Sequence, residues 1–423
     1  MSSRIPGFYR LPPEARLSAL EEALGIEVDA YRGEGLSLDA ANLMVENVIG
    51  TFALPNGVGI NLQVNGHDVV VPMVVEEPSV VAAVSNMARL TRAAGGIFTS
   101  CDASVMTGQV QVIVDGDVDA CAAALEAGLP ELRELAASVH PRLVERGGGL
   151  RGMQVRVVGY DEPGEQPERF VVLHFDLDCV DAMGANMINT IAERLAPRVE
   201  AVTGERVGLR ILSNLADKRL ARARVHLRPE HLDEGDLDGE DVAAGIANAY
   251  RFAYADPYRA ATHNKGIMNG VDAVAIATGN DWRAIEAGAH AYAARSGQYR
   301  SLSTWKVDQD GTLHGQLELP LQVGTVGGPI KVHPTVQQNL RLMKVTRAHQ
   351  LAELMAAVGL AQNLGALRAL ATEGIQQGHM RMHARSVAAS AGASSLQVPR
   401  IAAMLHEARD YSVELARKLL AQG

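Results

Sequence analysis

Residues 259–283 read RAATHNKGIMNGVDAVAIATGNDWR, with a lysine, Lys265, among glycines and asparagines. A short apolar run, Val271 to Thr278, follows, and a Gly-Asn-Asp turn ends at Asp281. Because the run contains several β-branched residues and is bounded by glycine, it predicts a buried strand, with Lys265 in a loop at one end and Asp281 at the other. Asn280 or Asp281 then caps a helix over WRAIEAGAHAYA. Polar loops on a rigid apolar element often carry catalytic residues, although a solvated lysine and a capping aspartate give the same pattern.

The composition argues against several classes of protein. The 423 residues carry a formal net charge of −10 without a basic block, which argues against a nucleic-acid or anionic-membrane partner. Hydrophobic residues make up 47% of the chain, enough for a large core, and the length predicts two or three domains. Three widely spaced cysteines without a CxxC pair suit a reducing compartment. With neither an apolar leader nor a run of 18 apolar residues, the sequence predicts a soluble, cytoplasmic protein.

The predicted fold class is α+β. Elements between residues 104 and 213 follow the order β-α-β-β-α-β, which is typical of a ferredoxin-like unit. We interpret this unit as an inserted second domain. The flanking parts, 1–103 and 214–372, are similar in composition and are expected to form one large domain of mixed helices and sheet. Small polar residues between 388 and 396 indicate a hinge before a last amphipathic helix.

Local signals predict two hairpins and one early helix. Val58 to Val64 and His67 to Val75 are joined by Asn65-Gly66, the preferred dipeptide of a two-residue turn. A second hairpin turns at Asp310-Gly311. Ser37 can cap a helix that runs to Gly50 and buries one apolar face. That face would consist of Leu43, Met44, Val48 and Ile49.

Two glycine-rich stretches of the small domain predict different structures. Gly147 to Gly152 matches G-x-G-x-x-G, but a helix precedes it and a strand follows, so it predicts a linker. In FDLDCVDAMGAN a strand comes first, Asp181 can cap the following helix, and Gly184 and Ala185 leave the first turn of that helix bare. The free N–H groups there could receive a pyrophosphate, although small residues in a first turn also serve close packing.

Polar residues in two other places allow both structural and catalytic interpretations. Glu76 and Glu77 precede Pro78 and a helix, where the helix dipole favours a carboxylate whether or not it is catalytic. His379 and His383 are spaced i, i+4, but they lack the Glu of HExxH and a third ligand, so no metal site is predicted. A histidine that titrates near neutral pH is the favoured interpretation of His379.

Six short motifs occur in order along nearly the whole chain. They are ENVIG (46–50), VVEEPS (74–79), DAMGAN (181–186), THNKGIMNG (262–270), ATGNDWRA (277–284) and GHM (378–380). Together they resemble 3-hydroxy-3-methylglutaryl-coenzyme A reductase (HMG-CoA reductase) of the bacterial, class II type. Class I enzymes carry their lysine in an S-K-G soon after DAMG, where this chain has MINT (187–190). Here Lys265 lies in THNKG, as in class II.

The resemblance implies reduction of a thioester to an alcohol by two hydride transfers from a nicotinamide. The reaction passes through a thiohemiacetal and bound mevaldehyde to mevalonate and free coenzyme A. By this resemblance the catalytic residues are Glu77, Lys265, Asp281 and His379, the substrate contacts are Ser79, Arg259 and Asn269, and the coenzyme contacts are Asp181, Met183, Gly184, Ala185 and Asn186. It also implies that residues 104–213 bind the nicotinamide coenzyme, that residues 1–103 and 214–372 bind the substrate, and that residues 373–423 form a helical C-terminal flap that closes over the ligands. It further implies a homodimer with Glu46 to Gly50 at the interface and active sites shared by two subunits.

Physical chemistry supports these roles separately from the resemblance. Hydride attack creates an alkoxide, and a fixed cation such as Lys265 can stabilise it; losing one such group costs roughly 3–4 kcal/mol of barrier. An imidazolium at His379 can protonate the departing thiolate, and Glu77 can protonate the carbonyl oxygen in the second reduction. Asp281 beside Lys265 would keep the lysine charged.

One position departs from the family pattern, and two other functions are compatible with the residues. NAD-preferring relatives place an acidic residue where this chain has His140, so this position does not decide between NAD(H) and NADP(H). Overall similarity to the class II enzymes favours NAD(H), and NADP(H) stays open. One alternative function is a Cys-dependent coenzyme A acyltransferase of the thiolase kind, with Cys179 as nucleophile and His174 nearby. The other is a non-catalytic scaffold that binds coenzyme A. The physiological direction and any assembly above the dimer also stay open.

Overall fold

The structure, a computed structural model, describes residues 2–33, 35–233, 237–372, 375–394 and 396–422, without the side chains of residues 329 and 375–382. It has the mixed α+β composition that was predicted. The helices are α1 (Pro13–Leu24), α2 (Leu38–Met44), α3 (Val80–Ala93), α4 (Val118–Ser138), α5 (Pro141–Glu145), α6 (Ala185–Thr203), α7 (Pro229–Leu232), α8 (Gly239–Ala255), α9 (Pro257–Ala277), α10 (Trp282–Ala293), α11 (Pro334–Met343), α12 (Ala348–Ala371), α13 (Ile375–Ser390), α14 (Val398–Ala408) and α15 (Val413–Ala421). The strands are β1 (Asn56–Val64), β2 (His67–Val74), β3 (Phe98–Cys101), β4 (Val105–Ile113), β5 (Gly149–Tyr160), β6 (Glu168–Asp178), β7 (Arg206–Leu212), β8 (Leu220–Leu227), β9 (Ser303–Val307) and β10 (Leu313–Pro320).

Both predicted hairpins are confirmed. Strands β1 and β2 pair with Val64 opposite His67, and the turn residues Asn65 and Gly66 have φ values of 49° and 79°. Positive φ at both turn positions is what a type I′ turn requires, and Asn-Gly supplies it at little steric cost. Strands β9 and β10 pair in the same antiparallel way, and Gly311 between them has a φ of 83°.

The larger core is built around α12. By length and composition α12 could cross a membrane, but most of its apolar surface is buried inside the protein. It packs against α3, α8 and α9 and against the sheet ordered β3-β8-β10-β9. Alternation along β8 places Ala221, Ala223 and Val225 in the core and leaves Arg222 and Arg224 on the other face. This sheet therefore has one apolar face against helices and one polar face toward solvent.

The prediction of a strand from Val271 to Thr278 is wrong, because this run forms the last third of helix α9, with Thr278 just after its end. Lys265 consequently lies in the middle of a helix and not in a loop. The apolar residues are buried against α12, and Gly270 permits the approach: a Cβ there would lie 3.0 Å from the Cβ of Gln362. The glycines thus mark close packing between helices. Tertiary burial outweighs the β-propensity of the valines and isoleucine, which disfavour a helix only slightly.

The elements predicted between residues 104 and 213 are present, with shifted ends. Strands β4 to β7 form one antiparallel sheet ordered β5-β6-β4-β7, and α4 and α6 contribute to the core on one face of it. The long predicted helix from 118 to 145 divides into α4 and α5 because Pro141 starts a new helix. Gly147 and Gly148 lead into β5 as a linker would, but Gly149 to Gly152 already belong to the strand, so the linker is shorter than predicted.

The helix predicted to reach Gly50 ends six residues earlier. Ser37 caps α2 as expected, since its side chain accepts a hydrogen bond from Ala40 N at 3.3 Å. The chain becomes extended at Val45. Leu43 is 84% exposed and Ile49 is fully exposed, so the predicted burial of this face within one chain is wrong. Phe52 is also exposed, so Leu43, Ile49 and Phe52 make an exposed apolar strip along the chain between residues 43 and 52.

The C-terminal part has a small core of its own. Residues from α13, α14 and α15 bury Ala388, Ile401, Leu405 and Ala416 against one another. The predicted single last helix is therefore two helices, α14 and α15, after a turn that follows α13.

Candidate active site

An ion pair joins two of the predicted catalytic residues. The Nζ atom of Lys265 in α9 lies 2.7 Å from Oε2 of Glu77, which belongs to the turn between β2 and α3. Asn269, one helical turn after Lys265, points its amide Nδ2 at the same oxygen from 3.5 Å. The side chains of Lys265 and Glu77 are 60% and 30% exposed. The pair is therefore fixed in position yet open to a ligand.

Ser79 and Arg259 lie at the N-terminal ends of α3 and α9, the helices nearest this ion pair. Ser79 precedes α3 with a φ of 76°, a left-handed conformation that costs a non-glycine residue about 1–2 kcal/mol. Its hydroxyl makes no capping hydrogen bond to α3. Arg259 is half-buried, and burial lowers the pKa of its guanidinium. Within the described part of the chain it has no carboxylate partner, so it can bind an external anion.

Asp281 does not lie beside Lys265 within one chain. It caps α10 as predicted, accepting a hydrogen bond from Ala284 N at 3.1 Å, and Arg283 lies 3.8 Å from it. Lys265 and the last residue of α9, Ala277, are twelve residues apart, which is about 18 Å of helix. The two residues are thus separated by one apolar element, as the sequence predicts, but that element is a helix and not a strand.

His379 lies within the span of α13, but its side chain is outside the described residues. His383, the other half of the i, i+4 pair, is exposed.

The DAMGAN segment starts α6 in the way its glycine predicts. Gly184 precedes the helix with a φ of 111°, and a Cβ there would lie 2.4 Å from Cys179 Sγ, so only glycine fits. Asp181 was predicted to cap α6, but it does not. Its Oδ1 instead accepts hydrogen bonds from Ala348 N and Arg347 Nε, both at 3.0 Å. It therefore caps α12 instead and ties the segment to the central helix. The first turn of α6 is left without a side-chain cap.

A buried arginine that the sequence analysis missed holds the same segment from inside. Arg219 is 4% exposed and donates to the carbonyl oxygens of Ala182 and Met183 at 3.2 Å each, and to that of Val323. Burial lowers the pKa of Arg219 to about 10, which still leaves it charged at neutral pH. In the sequence it stands among other cations in DKRLARAR and looks like one more solvated charge.

Gly324 connects this segment to the turn that carries Asp281. Its backbone N–H donates to Asn280 Oδ1 at 2.7 Å. A Cβ on Gly324 would lie 2.8 Å from Met183 N, so the two backbones are in close contact. By contrast, a Cβ on Gly327 or Gly328 would meet nothing within 4 Å, so the close packing is confined to Gly324. Gly324 therefore joins the turn that carries Asp281 to the DAMGAN segment within one subunit.

A cavity of about 480 Å³ lies next to this segment. It is lined by His140, Arg142 and Arg146 on one side and by Val180, Asp181 and Met187 on the other. The ring Nε2 of His140 lies 3.2 Å from Met187 O. Arg142 and Arg146 are exposed cations at this cavity, and guanidinium groups suit phosphate oxygens. The residues present therefore fit a phosphate-bearing coenzyme.

Cys179 does not have the surroundings of a nucleophile. It is 1% exposed, and burial raises the pKa of its thiol to about 12. His174 makes its hydrogen bond to Gln109, at 2.8 Å, while the Cys179 thiol contacts Leu177 O. A reactive thiol requires access and stabilisation of the thiolate, and neither is present.

The fold and the site together define an α+β enzyme in which an amine–carboxylate pair and a coenzyme-sized cavity lie on separate parts of one chain. The model of the hydroxymethylglutaryl-coenzyme A reductase family matches residues 12–384. The 3-hydroxy-3-methylglutaryl-coenzyme A reductase of Archaeoglobus fulgidus is 47% identical over 423 residues, covering 99% of this chain and 94% of that protein. The probable reductase of Borreliella burgdorferi is 36% identical and covers 81% of this chain and 77% of its own.

Two solved structures of the Streptococcus pneumoniae enzyme agree with this result, each at 40% sequence identity. One covers 99% of this chain and 99% of its own, with a TM-score of 0.83. The other, described as the class II enzyme bound to NADPH in open conformations, covers 97% and 99%, with a TM-score of 0.81. The chain belongs to the hydroxymethylglutaryl-coenzyme A reductase family, and to its bacterial, class II type.

Proposed function

We propose that this chain interconverts HMG-CoA with mevalonate and coenzyme A in two reductive steps, through a thiohemiacetal and mevaldehyde. A bound nicotinamide supplies the hydride in each step. The observation that carries the proposal is the open ion pair between Lys265 and Glu77, 2.7 Å apart. In each step negative charge develops on the carbonyl oxygen, and an ammonium held by a carboxylate is a preorganised partner for it.

The other residues near the pair have roles that follow from their chemistry. Glu77 can return a proton to the carbonyl oxygen in the second reduction, with Asn269 holding its carboxylate in place. Arg259, without a carboxylate partner in the described chain, and Ser79 would bind the carboxylate and hydroxyl groups of the hydroxymethylglutaryl part. His379 would protonate coenzyme A as it leaves. A closing flap, residues 373–423, would exclude water during the reaction.

The complete site requires a second copy of the chain. Asp281 lies at the far end of α9 from Lys265, about 18 Å of helix away, so the partner subunit's Asp281 would join the pair of the first subunit. The exposed strip of Leu43, Ile49 and Phe52 supports a homodimer with Glu46 to Gly50 at its interface, since apolar strips of this kind mark contact surfaces.

The coenzyme would lie beside the DAMGAN segment. The residues proposed to contact it are Asp181, Met183, Gly184, Ala185 and Asn186. The sequence favours NAD(H) on family similarity alone, whereas the pneumococcal relative is described as bound to NADPH. We favour NADP(H) here, because Arg142 and Arg146 line the adjoining cavity and would attract the 2′-phosphate that only NADP(H) carries.

The domain division and the location in the cell are also proposals. Residues 1–103 and 214–372 would form the substrate domain and 104–213 the inserted coenzyme domain. In support, β3 and β8, the strands before and after the insert, are paired neighbours, and Asp102 N donates to Leu220 O at 2.9 Å. The burial of α12 inside the core supports a soluble protein, and the three free cysteines suit a reducing cytoplasm.

Absorbance at the nicotinamide band tests the proposed reaction. The purified protein should oxidise NADPH on addition of HMG-CoA and reduce NADP on addition of mevalonate with coenzyme A. Lys265→Ala should lower kcat by about 10²-fold or more, because it removes the cation that stabilises the developing charge. Lys306→Ala, which removes an exposed lysine of β9, should retain full activity. Normal turnover by Lys265→Ala would contradict the assignment.

A further inference from the structure

A groove with four arginines lies on the solvent face of the β3-β8-β10-β9 sheet, and its lining includes none of Glu77, Lys265 and Asp281. It has a volume of about 690 Å³. We call it the arginine groove and define it by Arg222 and Arg224 of β8 and by Arg295 and Arg300 of the segment between α10 and β9. Among the residues that line it, Glu318 is the one carboxylate. The groove is therefore a positive region on a chain whose formal net charge is −10.

Packing holds the four guanidinium groups in different ways. Arg222 is neutralised by Asp102 and Glu318, both at 2.7 Å. Arg295 stacks on Tyr292 at 3.7 Å and lies 4.0 Å from Glu318. Arg300 and Arg224 differ from these two in their contacts.

Arg300 stacks on Tyr254 at 4.3 Å and donates to Tyr254 O at 2.9 Å. Arg224 lies 5.9 Å from the ring of Phe98. Neither has a carboxylate partner in the parts of the chain that the structure describes. Aromatic stacking orients a guanidinium without neutralising it, so these two cations are positioned but uncompensated.

Neutral donors complete the lining. Ser100, Ser296, Thr304 and Gln316 contribute hydroxyl and amide groups around the arginines. Planar guanidinium forks beside hydroxyl donors suit phosphate oxygens, and the volume is that of a small-molecule site. The chemistry indicates a small ligand with more than one negative charge, as in a diphosphate.

One buried amide connects the rim of the groove to the proposed catalytic helix. Asn264 is fully buried; its Nδ2 donates to Arg300 O at 2.9 Å, and its Oδ1 accepts from Leu302 N at 3.0 Å. It immediately precedes Lys265 in α9. Next to it, His263 Nε2 lies 2.7 Å from Ser303 Oγ. Movement of residues 300–303 on ligand binding would thus be transmitted to the helix that carries Lys265.

We propose that the arginine groove binds a small phosphate-bearing polyanion and that Asn264 couples its occupancy to α9. The binding half of this proposal stands independently of the proposed function. The coupling half rests on the proposed function only where it states that ligand binding in the groove alters the reaction at Lys265.

Calorimetric titration of the full chain with inorganic pyrophosphate tests the binding half. Wild type should bind saturably, and Arg224→Gln combined with Arg300→Gln should raise the dissociation constant by about tenfold or more, since two charge-assisted contacts are lost. Arg194→Gln, which removes an exposed arginine of α6, should bind as wild type does. If the double variant folds poorly, Gln316→Glu, which adds a negative charge inside the groove, should weaken binding instead.

Pyrophosphate could also bind in the cavity beside DAMGAN, and Arg142→Gln separates the two sites. Affinity lost in Arg142→Gln but retained in the double variant would assign the anion to the coenzyme cavity and overturn the proposal. The proposal would also be overturned if wild type showed no saturable binding of pyrophosphate. This includes the case in which a second copy of the chain covers the groove and blocks the ligand.

Hydrogen–deuterium exchange tests the coupling half without requiring enzymatic activity. Pyrophosphate should slow amide exchange in the part of α9 around Lys265 in wild type. It should leave this exchange unchanged in Asn264→Ala, which should still bind pyrophosphate by calorimetry. Equal slowing in both proteins, or no slowing in wild type that has bound the anion, would exclude the proposed transmission.

Discussion

The DAMGAN segment, residues 181–186, and the Lys265–Glu77 ion pair are built in opposite ways. Residues 181–186 are fixed from inside one chain by a buried arginine, a tight glycine and a carboxylate that caps α12. The ion pair is open to solvent, and the third predicted member, Asp281, lies beyond the C-terminal end of the same helix. We therefore propose that the coenzyme contacts are preorganised within one subunit, whereas the reacting centre forms only when two subunits associate.

Glu77→Gln should have the largest effect on the open region. The amide keeps the size of the side chain but can neither donate a proton as an acid nor pair with the Lys265 ammonium. We expect kcat for the overall reduction to fall by about 10²-fold or more, with the dimer intact. Glu76→Gln, at the exposed neighbouring position, serves as the matched control in steady-state assays. Similar losses in both variants would show that the turn, and not the ion pair, is responsible.

Arg219→Met should have an intermediate effect, confined to the coenzyme region. It leaves the carbonyls of Ala182, Met183 and Val323 without a donor, so the DAMGAN segment should loosen. We expect the KM for NADPH to rise by about tenfold while kcat changes much less, and the free energy of unfolding to fall by about 2–4 kcal/mol.

Two further variants separate positioning from a general loss of stability. Arg219→Lys should restore part of the coenzyme affinity, because it keeps a buried cationic donor. Arg92→Met, which removes the ion pair to Asp68 between α3 and β2, should destabilise the protein without raising the coenzyme KM. A parallel rise of the KM in both Met variants would argue against a positioning role for Arg219.

Arg142→Gln should have the smallest effect, and it tests which nicotinamide coenzyme the cavity prefers. The variant removes one cation from the cavity beside His140. We expect the KM for NADPH to rise by about three- to tenfold and the KM for NADH to stay nearly constant, since NADH lacks the 2′-phosphate. Arg206→Gln, at the start of β7, is the control. Equal changes for both coenzymes would place Arg142 away from that phosphate.

Features with a local physical cause could be predicted from the sequence. Asn65-Gly66 and Asp310-Gly311 form the hairpin turns that these dipeptides favour. Ser37 and Asp281 cap the helices that they precede. The run from Val271 to Thr278 was misinterpreted because β-branched residues bounded by glycine suit a buried strand as well as a buried helix. Only packing against α12, far away in the sequence, decides between them.

The candidate site was predicted only in part, for a related reason. Glu77 and Lys265 are 188 residues apart, and the motifs around them, not their spacing, suggested that they meet. Arg219 gave no signal, because a buried arginine that binds carbonyl oxygens has the same sequence context as a solvated one. The separation of Asp281 from Lys265 by one apolar element was predicted, and only the helical state of that element was missed.

Mixing two inactive variants tests the central claim, that the reacting centre is shared between subunits. Lys265→Ala and Asp281→Ala should each be inactive as homodimers. After unfolding, mixing and refolding, half of the dimers should be mixed, and each should contain one site with both residues intact, so about a quarter of wild-type activity should return. A mixture that stays inactive, although mixed dimers are detected by mass spectrometry, would mean that Lys265 and Asp281 act within one subunit.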